Sequence, residues 1–361
     1  MFSDTARKTA DACRFCWMCR HVCPVGLKTG HEINTPRAKG LVISLMERGT
    51  AFDADIARAM YECTLCGACS NDCVTGYEPP VFIREARTKA VTEGLEPIEV
   101  RRVAEKIMDS GNIYGEEKPD FSASGDPDAQ FLLYIGDTAA CRVSGMVRAI
   151  LSIADKAGVP LCILPDEPGS GAELYDLYGD VEDVRALTKT LVERIEETEV
   201  THVIVLNPAD AVMLAHKAAD WGFAGNFKVI TATAFVAALV KSGAITPKSD
   251  STSRITFHDP ARLARDMGET DAVREIIAAM EIPFSETFLH GKLAHDCGSV
   301  VFSEYAPDLC ALTAEGAWDD ACRTPAQVLV TASPEDYYVL SRQIPKGYAL
   351  TDLFELVEAS L

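Results

Sequence analysis

Eight of the 13 cysteines lie in two runs of identical spacing in the first quarter of the chain. In each run, two residues lie between the first and second cysteines and between the second and third, and three residues lie between the third and fourth. The runs comprise Cys13, Cys16, Cys19 and Cys23, and Cys63, Cys66, Cys69 and Cys73. Thiolates at this spacing are typical ligands of [4Fe–4S] clusters, because the short loops turn three successive sulfurs toward one centre. The spacing therefore predicts two [4Fe–4S] clusters.

The fourth cysteine of each run is predicted to ligate the cluster of the other run. It lies beyond the short loop, and in two-cluster ferredoxins the corresponding cysteine binds the second cluster. The predicted first set is Cys13, Cys16, Cys19 and Cys73, and the predicted second set is Cys23, Cys63, Cys66 and Cys69. Val74 follows Cys73 where the bacterial pattern has proline. This difference predicts a looser turn but removes no ligand.

Three other uses of these cysteines are a zinc ribbon, a disulfide framework and buried structural thiols. A zinc ribbon would use two pairs of cysteines and leave two thiols of each run without a role. Disulfides are typical of short secreted chains, and we expect no signal peptide here. Cluster binding is the interpretation that uses all eight cysteines.

The composition limits the classes of partner. The chain has 361 residues, enough for two or three domains, and a net charge of −20. This charge argues against binding to nucleic acid or to an anionic membrane surface. Since no apolar run reaches about 18 residues, no membrane span is expected. The many cysteines favour a reducing compartment. We therefore expect a cytoplasmic protein, with any membrane association through a partner.

The segments around the cysteine runs are predicted to be helical. Thr35 followed by Pro36 is a typical helix start, with threonine as the N-cap and proline in the first turn. Apolar residues then recur at helical spacing, and further helices are predicted to begin at Pro80 and Pro97. No hairpin signal separates the runs. The pattern predicts an α-helical ferredoxin domain over residues 1–115.

Large apolar side chains lie between the ligands of the first run, at Phe15, Trp17 and Met18. One interpretation is a dry layer that influences the reduction potential of the first cluster. The other is ordinary packing. The sequence leaves both interpretations open.

The rest of the chain has a different pattern. Residues 116–129 are rich in Gly, Ser, Pro and Asp and are predicted to form a linker. Apolar strand-like runs then alternate with helical stretches, which predicts mostly parallel sheets with helices on both faces. The predicted strands lie at residues 131–135, 160–164, 203–206, 229–231, 254–258, 284–289 and 328–331. We predict an α+β multidomain protein with two Rossmann-like α/β lobes, over residues 130–246 and 252–361, the second ending in a helix.

The two lobes have the pattern of an internal duplication. A strand in each lobe is followed by the same arrangement of proline and aspartate, at residues 207–210 and 333–336. Ligands bind at the carboxyl ends of strands in open α/β sheets. The alternative is that these residues only begin a helix. Both interpretations stay open.

The paired cysteine runs, the sequence Asn-Thr-Pro-Arg at residues 34–37 and the doubled α/β region resemble the heterodisulfide-reductase-related iron–sulfur proteins. This family includes iron–sulfur subunits of glycolate oxidase, of anaerobic glycerol-3-phosphate dehydrogenase and of lactate-utilisation complexes. The resemblance covers nearly the whole chain. In the N-terminal part the resemblance rests on specific motifs. In the C-terminal part only the arrangement of the two lobes matches, and the motif residues differ.

In that family each lobe carries cysteines that can hold a further iron–sulfur centre. The corresponding positions are Asp137, Glu167, Pro168, Asn207 and Asp210 in lobe one, and Ala261, Asp296, Ser333 and Asp336 in lobe two. Only Cys297 is retained, in a Cys-Cys-Gly motif that here begins with aspartate. Because clusters need thiolates, the resemblance implies that this centre is absent. Cys297 is then expected to pack as a small apolar residue, and His258 and Asp259 to hold a turn.

The remaining cysteines have no ligand spacing and are predicted to be core residues. They are Cys141, Cys162, Cys310 and Cys322.

The resemblance implies an iron–sulfur electron-transfer subunit of a multisubunit oxidoreductase. Neither a P-loop, a GxGxxG motif nor a Ser-His-Asp set was found, so flavin and nicotinamide are expected to be bound by another subunit. The implied partner is a flavoprotein dehydrogenase with FAD or FMN, acting on 2-hydroxy acids, glycerol 3-phosphate or similar small donors. The implied acceptor is a quinone, an electron-transfer flavoprotein or a ferredoxin. A quinone would be reached through a membrane quinone reductase.

Two alternatives stay open. One is a catalytic, heterodisulfide-reductase-like subunit with a further centre near Cys297, which requires more thiolates than the motif positions supply. The other is a structural assembly protein whose clusters only hold the helical domain together.

Overall fold

Helices surround both cysteine runs, as the capping residues predict. The computed structural model describes residues 2–361. The helices of this region are α1 (Asp4–Asp11), α2 (Met18–Val22), α3 (Pro24–Thr29), α4 (Pro36–Glu47), α5 (Ala54–Tyr61), α6 (Ala68–Asn71), α7 (Pro79–Glu93) and α8 (Ile98–Ser110), with a 3-10 turn at Glu32–Asn34. The Thr35 side chain caps α4 by accepting a hydrogen bond from Ala38 N at 3.3 Å. The helix start at Thr35 is thereby confirmed.

The first lobe is built on a four-stranded parallel sheet in the order β2-β1-β3-β4. Its strands are β1 (Phe131–Tyr134), β2 (Leu161–Cys162), β3 (His202–Val205) and β4 (Lys228–Thr231). The helices are α9 (Asp137–Arg142), α10 (Ser144–Lys156), α11 (Ala172–Tyr178), α12 (Glu182–Glu196), α13 (Pro208–Val212), a π-helical turn (Met213–Lys217), α14 (Ala218–Asp220) and α15 (Ala232–Ser242). Phe131 pairs with both Leu161 and His202, so β1 lies inside the sheet.

The second lobe has a three-stranded parallel sheet in the order β5-β6-β7. Its strands are β5 (Ile255–Phe257), β6 (Val328–Thr331) and β7 (Ala349–Asp352). The helical segments are a π-helical turn (Arg262–Asp266), α16 (Asp271–Ala279), a 3-10 turn (Gly291–Leu293), α17 (Val300–Tyr305), α18 (Pro307–Cys322), α19 (Pro334–Ser341) and α20 (Leu353–Glu358).

The strand predicted at residues 284–289 is wrong. Only Phe284 pairs with the sheet, in a single bridge to Ile255. Beyond it the chain turns away, since Glu286 pairs with Arg274 at 2.9 Å and Phe288 is 91% exposed. Its apolar residues suggested a strand, but a strand also needs a continuous hydrogen-bonded partner.

The two lobes share one hydrophobic core. Helix α10 packs against α20, and α15 packs against α16. The apolar side chains of this core come from both sheets and include Ile150, Phe235, Ile276, Val330 and Phe354. Burial of this shared surface stabilises one lobe against the other.

The segment predicted as a linker, residues 116–129, packs against lobe one. It contains a 3-10 turn at Ser122–Ser124, and Asp126 N donates a hydrogen bond to Leu161 O at 2.8 Å. None of the helices in residues 2–361 has the length and apolar character needed to cross a lipid bilayer.

Candidate functional site

The loops of the two cysteine runs have the same backbone shape. Residues on both sides of the second cysteine have left-handed conformations: Phe15 and Trp17 (φ 54° and 70°) in the first loop, and Leu65 and Gly67 (φ 58° and 73°) in the second. Left-handed residues reverse the chain direction sharply. The repeated pair therefore bends each loop around its sulfurs.

The predicted first set comes together at the surface. Burial raises the pKa of the Cys19 thiol to about 11, and Cys13, Cys16 and Cys73 add to this increase by charge repulsion. Cys73 therefore lies among the cysteines of the other run. Cys16 is exposed.

Thr75 holds the turn at Cys73, where valine replaces proline. Its hydroxyl lies 3.2 Å from Cys73 Sγ. Burial alone would raise the pKa of Cys73, but hydrogen bonds from Thr75 and from the backbone of Tyr77 lower it. Val74 itself is 99% exposed. The turn is thus held by a hydroxyl without proline.

The predicted second set lines an internal cavity. Burial raises the pKa of the Cys23 thiol to about 12, and repulsion from Cys63 and Cys66 contributes. Burial also raises the pKa of Cys69 well above its usual range, with contributions from Cys66, Cys63 and Cys23. All four cysteines line the same cavity. Four converging thiols around a cavity are a donor set that fits a [4Fe–4S] cluster.

Lys39 is a charged residue of this site that the sequence analysis missed. Its ammonium group is buried and donates hydrogen bonds to Ala59 O at 2.7 Å and Ile33 O at 3.1 Å. Burial lowers the pKa of Lys39, whereas the nearby thiolates of Cys63 and Cys23 oppose that change. Lys39 lies on the face of α4 that folding buries, and no local sequence pattern indicated this. The ammonium places a positive charge beside the second set.

Arginines connect the second cysteine loop to the rest of the molecule. Arg87 Nη2 donates to Cys63 O at 2.6 Å, and Arg265 Nε of lobe two donates to Cys66 O at 2.5 Å. Arg262 of lobe two pairs with Asp176 of lobe one at 2.7 Å. The loop is therefore held by charged contacts that no local pattern predicts.

The cysteine positions of lobe one are filled by an ion-pair network. Lys118 Nζ lies 3.2 Å from both Asp137 Oδ1 and Glu167 Oε1. The Glu167 carboxylate also accepts hydrogen bonds from Ile135 N and Gly136 N at 2.9 Å each. Burial raises the pKa of Glu167, while Lys118 opposes that change. The predicted linker thus supplies the cation of this site.

The corresponding place in lobe two contains Cys297. This side chain is fully buried, beside Phe302 and Trp318, as expected for a small apolar residue. His258 Nε2 lies 3.2 Å from Asp336 Oδ2, and a ring nitrogen of His258 and a carboxylate oxygen of Asp336 lie within 4.8 Å of the Cys297 sulfur. Hence the His258 side chain faces Cys297 and Asp336.

Asp259 holds its turn as expected. Its carboxylate pairs with Arg274 at 2.6 Å and accepts a hydrogen bond from Gly291 N.

A pocket between the lobes reaches the second cysteine set. Its lining includes Cys66, Asp296, Glu335 and Asp336. Across it, Asn207 Nδ2 donates to Glu335 Oε1 at 2.8 Å. The segments at residues 207–210 and 333–336, each with a proline and an aspartate, therefore meet at this pocket.

Two expectations about apolar residues need correction. Phe15, Trp17 and Met18 are 52%, 43% and 52% exposed, so they form no dry layer. Their loop lies at the surface, where little of the chain is available to cover it. Of the four cysteines predicted as core, Cys162 and Cys310 are buried, whereas Cys141 and Cys322 are partly exposed.

Comparison with known families matches residues 9–77 to a family described as a 4Fe-4S dicluster domain. A subunit of the dihydromethanophenazine:CoB–CoM heterodisulfide reductase from Methanosarcina barkeri is 25% identical over 399 aligned positions, which cover 99% of this chain and 97% of the relative. The probable iron–sulfur-binding oxidoreductase FadF of Bacillus subtilis is 24% identical over 61% of this chain and 34% of its own length. The EtfAB:quinone oxidoreductase of Syntrophomonas wolfei is 22% identical over 68% of this chain and 37% of its own length.

Among solved structures, a hypothetical protein from Helicobacter pylori has a similar fold. The TM-score is 0.59 at 11% identity, over 89% of this chain and 67% of that one. This likeness concerns the fold alone. The family match and the full-length similarity to the Methanosarcina barkeri protein point to the same relationship. The chain therefore matches the 4Fe-4S dicluster domain family in its N-terminal part and is similar over nearly its whole length to a heterodisulfide reductase subunit.

Proposed function

We propose that the chain is the electron-transfer subunit of a multisubunit oxidoreductase and binds two [4Fe–4S] clusters. The first set would hold one cluster and the second set the other. The observation that carries the proposal is the position of Cys23, which lies among the cysteines of the second run and with them lines one cavity. When bound, such clusters supply one-electron carriers.

The two sets are placed to connect the surface with the interior. Cys16 of the first set is exposed, next to the exposed side chains of Phe15 and Met18. Such a surface suits a docked redox partner. Cys66 of the second set lines the pocket between the lobes. This arrangement supports a route for electrons between a docking surface and the internal pocket.

The proposed domains are the ferredoxin domain at residues 1–115, the linker at 116–129, and the lobes at 130–246 and 252–361. We infer that the lobes arose by duplication. In support, the order β1-β3-β4 is repeated as β5-β6-β7, and three residues after the end of β3 and of β6 a proline begins the next helix. The degenerate lobes then serve as a scaffold for the complex.

The proposed partner is a flavoprotein dehydrogenase that carries FAD or FMN. The acceptor is an electron-transfer flavoprotein, a ferredoxin or a membrane quinone reductase. The similarity to a protein named EtfAB:quinone oxidoreductase supports this choice. Flavin and nicotinamide are then bound outside this chain. We propose a cytoplasmic location, with membrane association only through a partner.

A catalytic disulfide-reducing centre near Cys297 is less well supported. Such a centre needs several thiolates. The ligand-type atoms that lie with the Cys297 sulfur come from His258 and Asp336.

The proposal is tested with Cys66→Ser, prepared without oxygen in the complete complex. We expect about eight irons per chain in the unchanged protein and loss of one cluster signal by EPR in the variant. Turnover of the complex should be lost while circular dichroism shows that the lobes stay folded. Cys322→Ser, a partly exposed cysteine outside both sets, is the matched control. Normal turnover after verified loss of the cluster would refute the proposal.

A further inference from the structure

We propose that lobe two binds one zinc ion between His258, Cys297 and Asp336. The three residues are buried, and a ring nitrogen of His258, the Sγ of Cys297 and a carboxylate oxygen of Asp336 all lie within 4.8 Å of one another. They come from three separate segments: the end of β5, the loop before α17 and the first turn of α19. The site is separate from the eight motif cysteines and does not depend on the cluster assignment.

The spacing of these atoms is close to that of a zinc site. Tetrahedral zinc with bonds of about 2.0–2.3 Å holds its ligand atoms roughly 3.3–3.8 Å apart. His258 Nε2 and Asp336 Oδ2 are already 3.2 Å apart. The sulfur of Cys297 completes the triangle after a small side-chain movement.

Two of the proposed ligand atoms lack another partner. Within residues 2–361, His258 Nε2 and Asp336 Oδ2 are buried and make no hydrogen bond of acceptable geometry. The two side chains are only 6% and 7% exposed. Buried polar atoms are nearly always hydrogen-bonded or bound to a metal. A cation between them would satisfy both.

In lobe one, the site that corresponds to this cluster of side chains has its carboxylate charge neutralised by a lysine of the chain itself. There the Lys118 ammonium lies between the carboxylates of Asp137 and Glu167. In lobe two, among the residues that the structure describes, the Asp336 carboxylate lies beside the His258 ring and pairs with no lysine or arginine. The difference indicates that lobe two takes its cation from solution.

The donor set selects the type of ion. Imidazole, thiolate and carboxylate are all common zinc ligands, and three protein ligands leave a fourth position for water or substrate. Asp336 and Asp296 line the pocket between the lobes, which gives that position access. A neutral imidazole, a thiolate and a carboxylate together balance the charge of Zn²⁺, and binding releases the proton of the Cys297 thiol.

The first test is metal analysis of anaerobically purified protein, with zinc and iron measured on the same sample. We expect one zinc per chain in the unchanged protein. Cys297→Ala and Asp336→Asn should each lower zinc by about tenfold or more while leaving iron unchanged. Cys310→Ala is the matched control, because Cys310 is a buried cysteine of the same core outside the ligand set. Zinc retained equally in all variants would overturn the proposal.

The second test starts from the unchanged protein, so its main result does not depend on the ligand variants folding. Protein produced in zinc-free medium with Co²⁺ should show a thiolate-to-cobalt charge-transfer band. The band should persist in Cys310→Ala and be missing in Cys297→Ala. Absence of the band in the unchanged protein, together with absence of zinc, would refute the site. Iron content and cluster EPR report separately on the proposed electron-transfer role.

Discussion

Trp17 and Gly67 occupy the same left-handed position in the two cysteine loops, with φ 70° and ψ −2° for Trp17 and φ 73° and ψ 0° for Gly67. Glycine adopts this conformation readily, whereas for other L-residues it costs about 1–2 kcal/mol. The Arg37 guanidinium covers the Trp17 ring, with Cζ 3.6 Å from the ring centroid. Such a cation–π contact contributes about 0.5–2 kcal/mol. The stacked arginine therefore offsets the backbone strain of the first loop.

Replacing Trp17 separates these two effects. Trp17→Ala loses the stacking but keeps the strain, whereas Trp17→Gly loses both. We expect Trp17→Gly to be more stable than Trp17→Ala by about 1–2 kcal/mol. Anaerobic thermal unfolding at one scan rate measures the difference. Equal unfolding midpoints for the two variants would show that the loop is not strained.

Removal of the Lys39 charge should lower the reduction potential of the proposed second cluster. Lys39→Met removes a buried positive charge near Cys23 and Cys63, and that charge favours the more negative, reduced state. We expect a decrease of roughly 60 mV, which corresponds to about 1.4 kcal/mol for one electron. An EPR-monitored redox titration measures the shift. Lys28→Met, which removes a lysine paired at the surface with Asp319, should leave the potential nearly unchanged.

Removal of Lys118 should destabilise lobe one. Lys118→Met leaves the carboxylates of Asp137 and Glu167 buried without their cation, which typically costs about 3–5 kcal/mol. Chemical denaturation followed by circular dichroism gives the change in the free energy of unfolding. Lys106→Met is the control, since its pair with Glu304 is largely at the surface and contributes less than about 1 kcal/mol. Similar values for the two variants would contradict a supporting role for Lys118.

The buried Asp210 should make stability fall as pH rises. Burial raises its pKa from an ordinary 3.8 to about 8, with repulsion from Glu335 and Asp137 contributing, although hydrogen bonds from Ser170 and Asn207 oppose the change. The folded state therefore holds a proton that the unfolded state has lost between about pH 4 and pH 8, and stability decreases across that range.

Asp210→Asn should reduce this pH dependence, because asparagine does not ionise. Between pH 6 and pH 8, we expect the loss of unfolding free energy to be smaller than in the unchanged protein by roughly 1–3 kcal/mol. Thermal midpoints measured across the pH range provide the comparison. Asp220→Asn, an exposed residue paired with Lys217, should keep the original slope. Equal slopes for all three proteins would contradict the assignment.

Elements with strong local signals could be predicted from the sequence. The bounds of β6 are those predicted, since Val328–Thr331 is a short apolar run that stays buried. The strand β7 was missed, because Ala349–Asp352 has few apolar residues and pairs only with β6. The wrong strand at residues 284–289 had the apolar residues but no continuous partner. Strand prediction therefore succeeded where burial and local pattern agree.

By itself, the sequence predicted the two cysteine sets, because ligand spacing within a loop is local and the crossed fourth cysteine follows from the two-cluster pattern. Tertiary structure alone decided which charged groups are buried beside those sets. Lys39 lies next to Cys23 and Cys63, Lys118 enters lobe one, and Asp336 meets His258. A charged side chain is buried only where folding brings it a compensating partner, and those partners lie far away in the sequence.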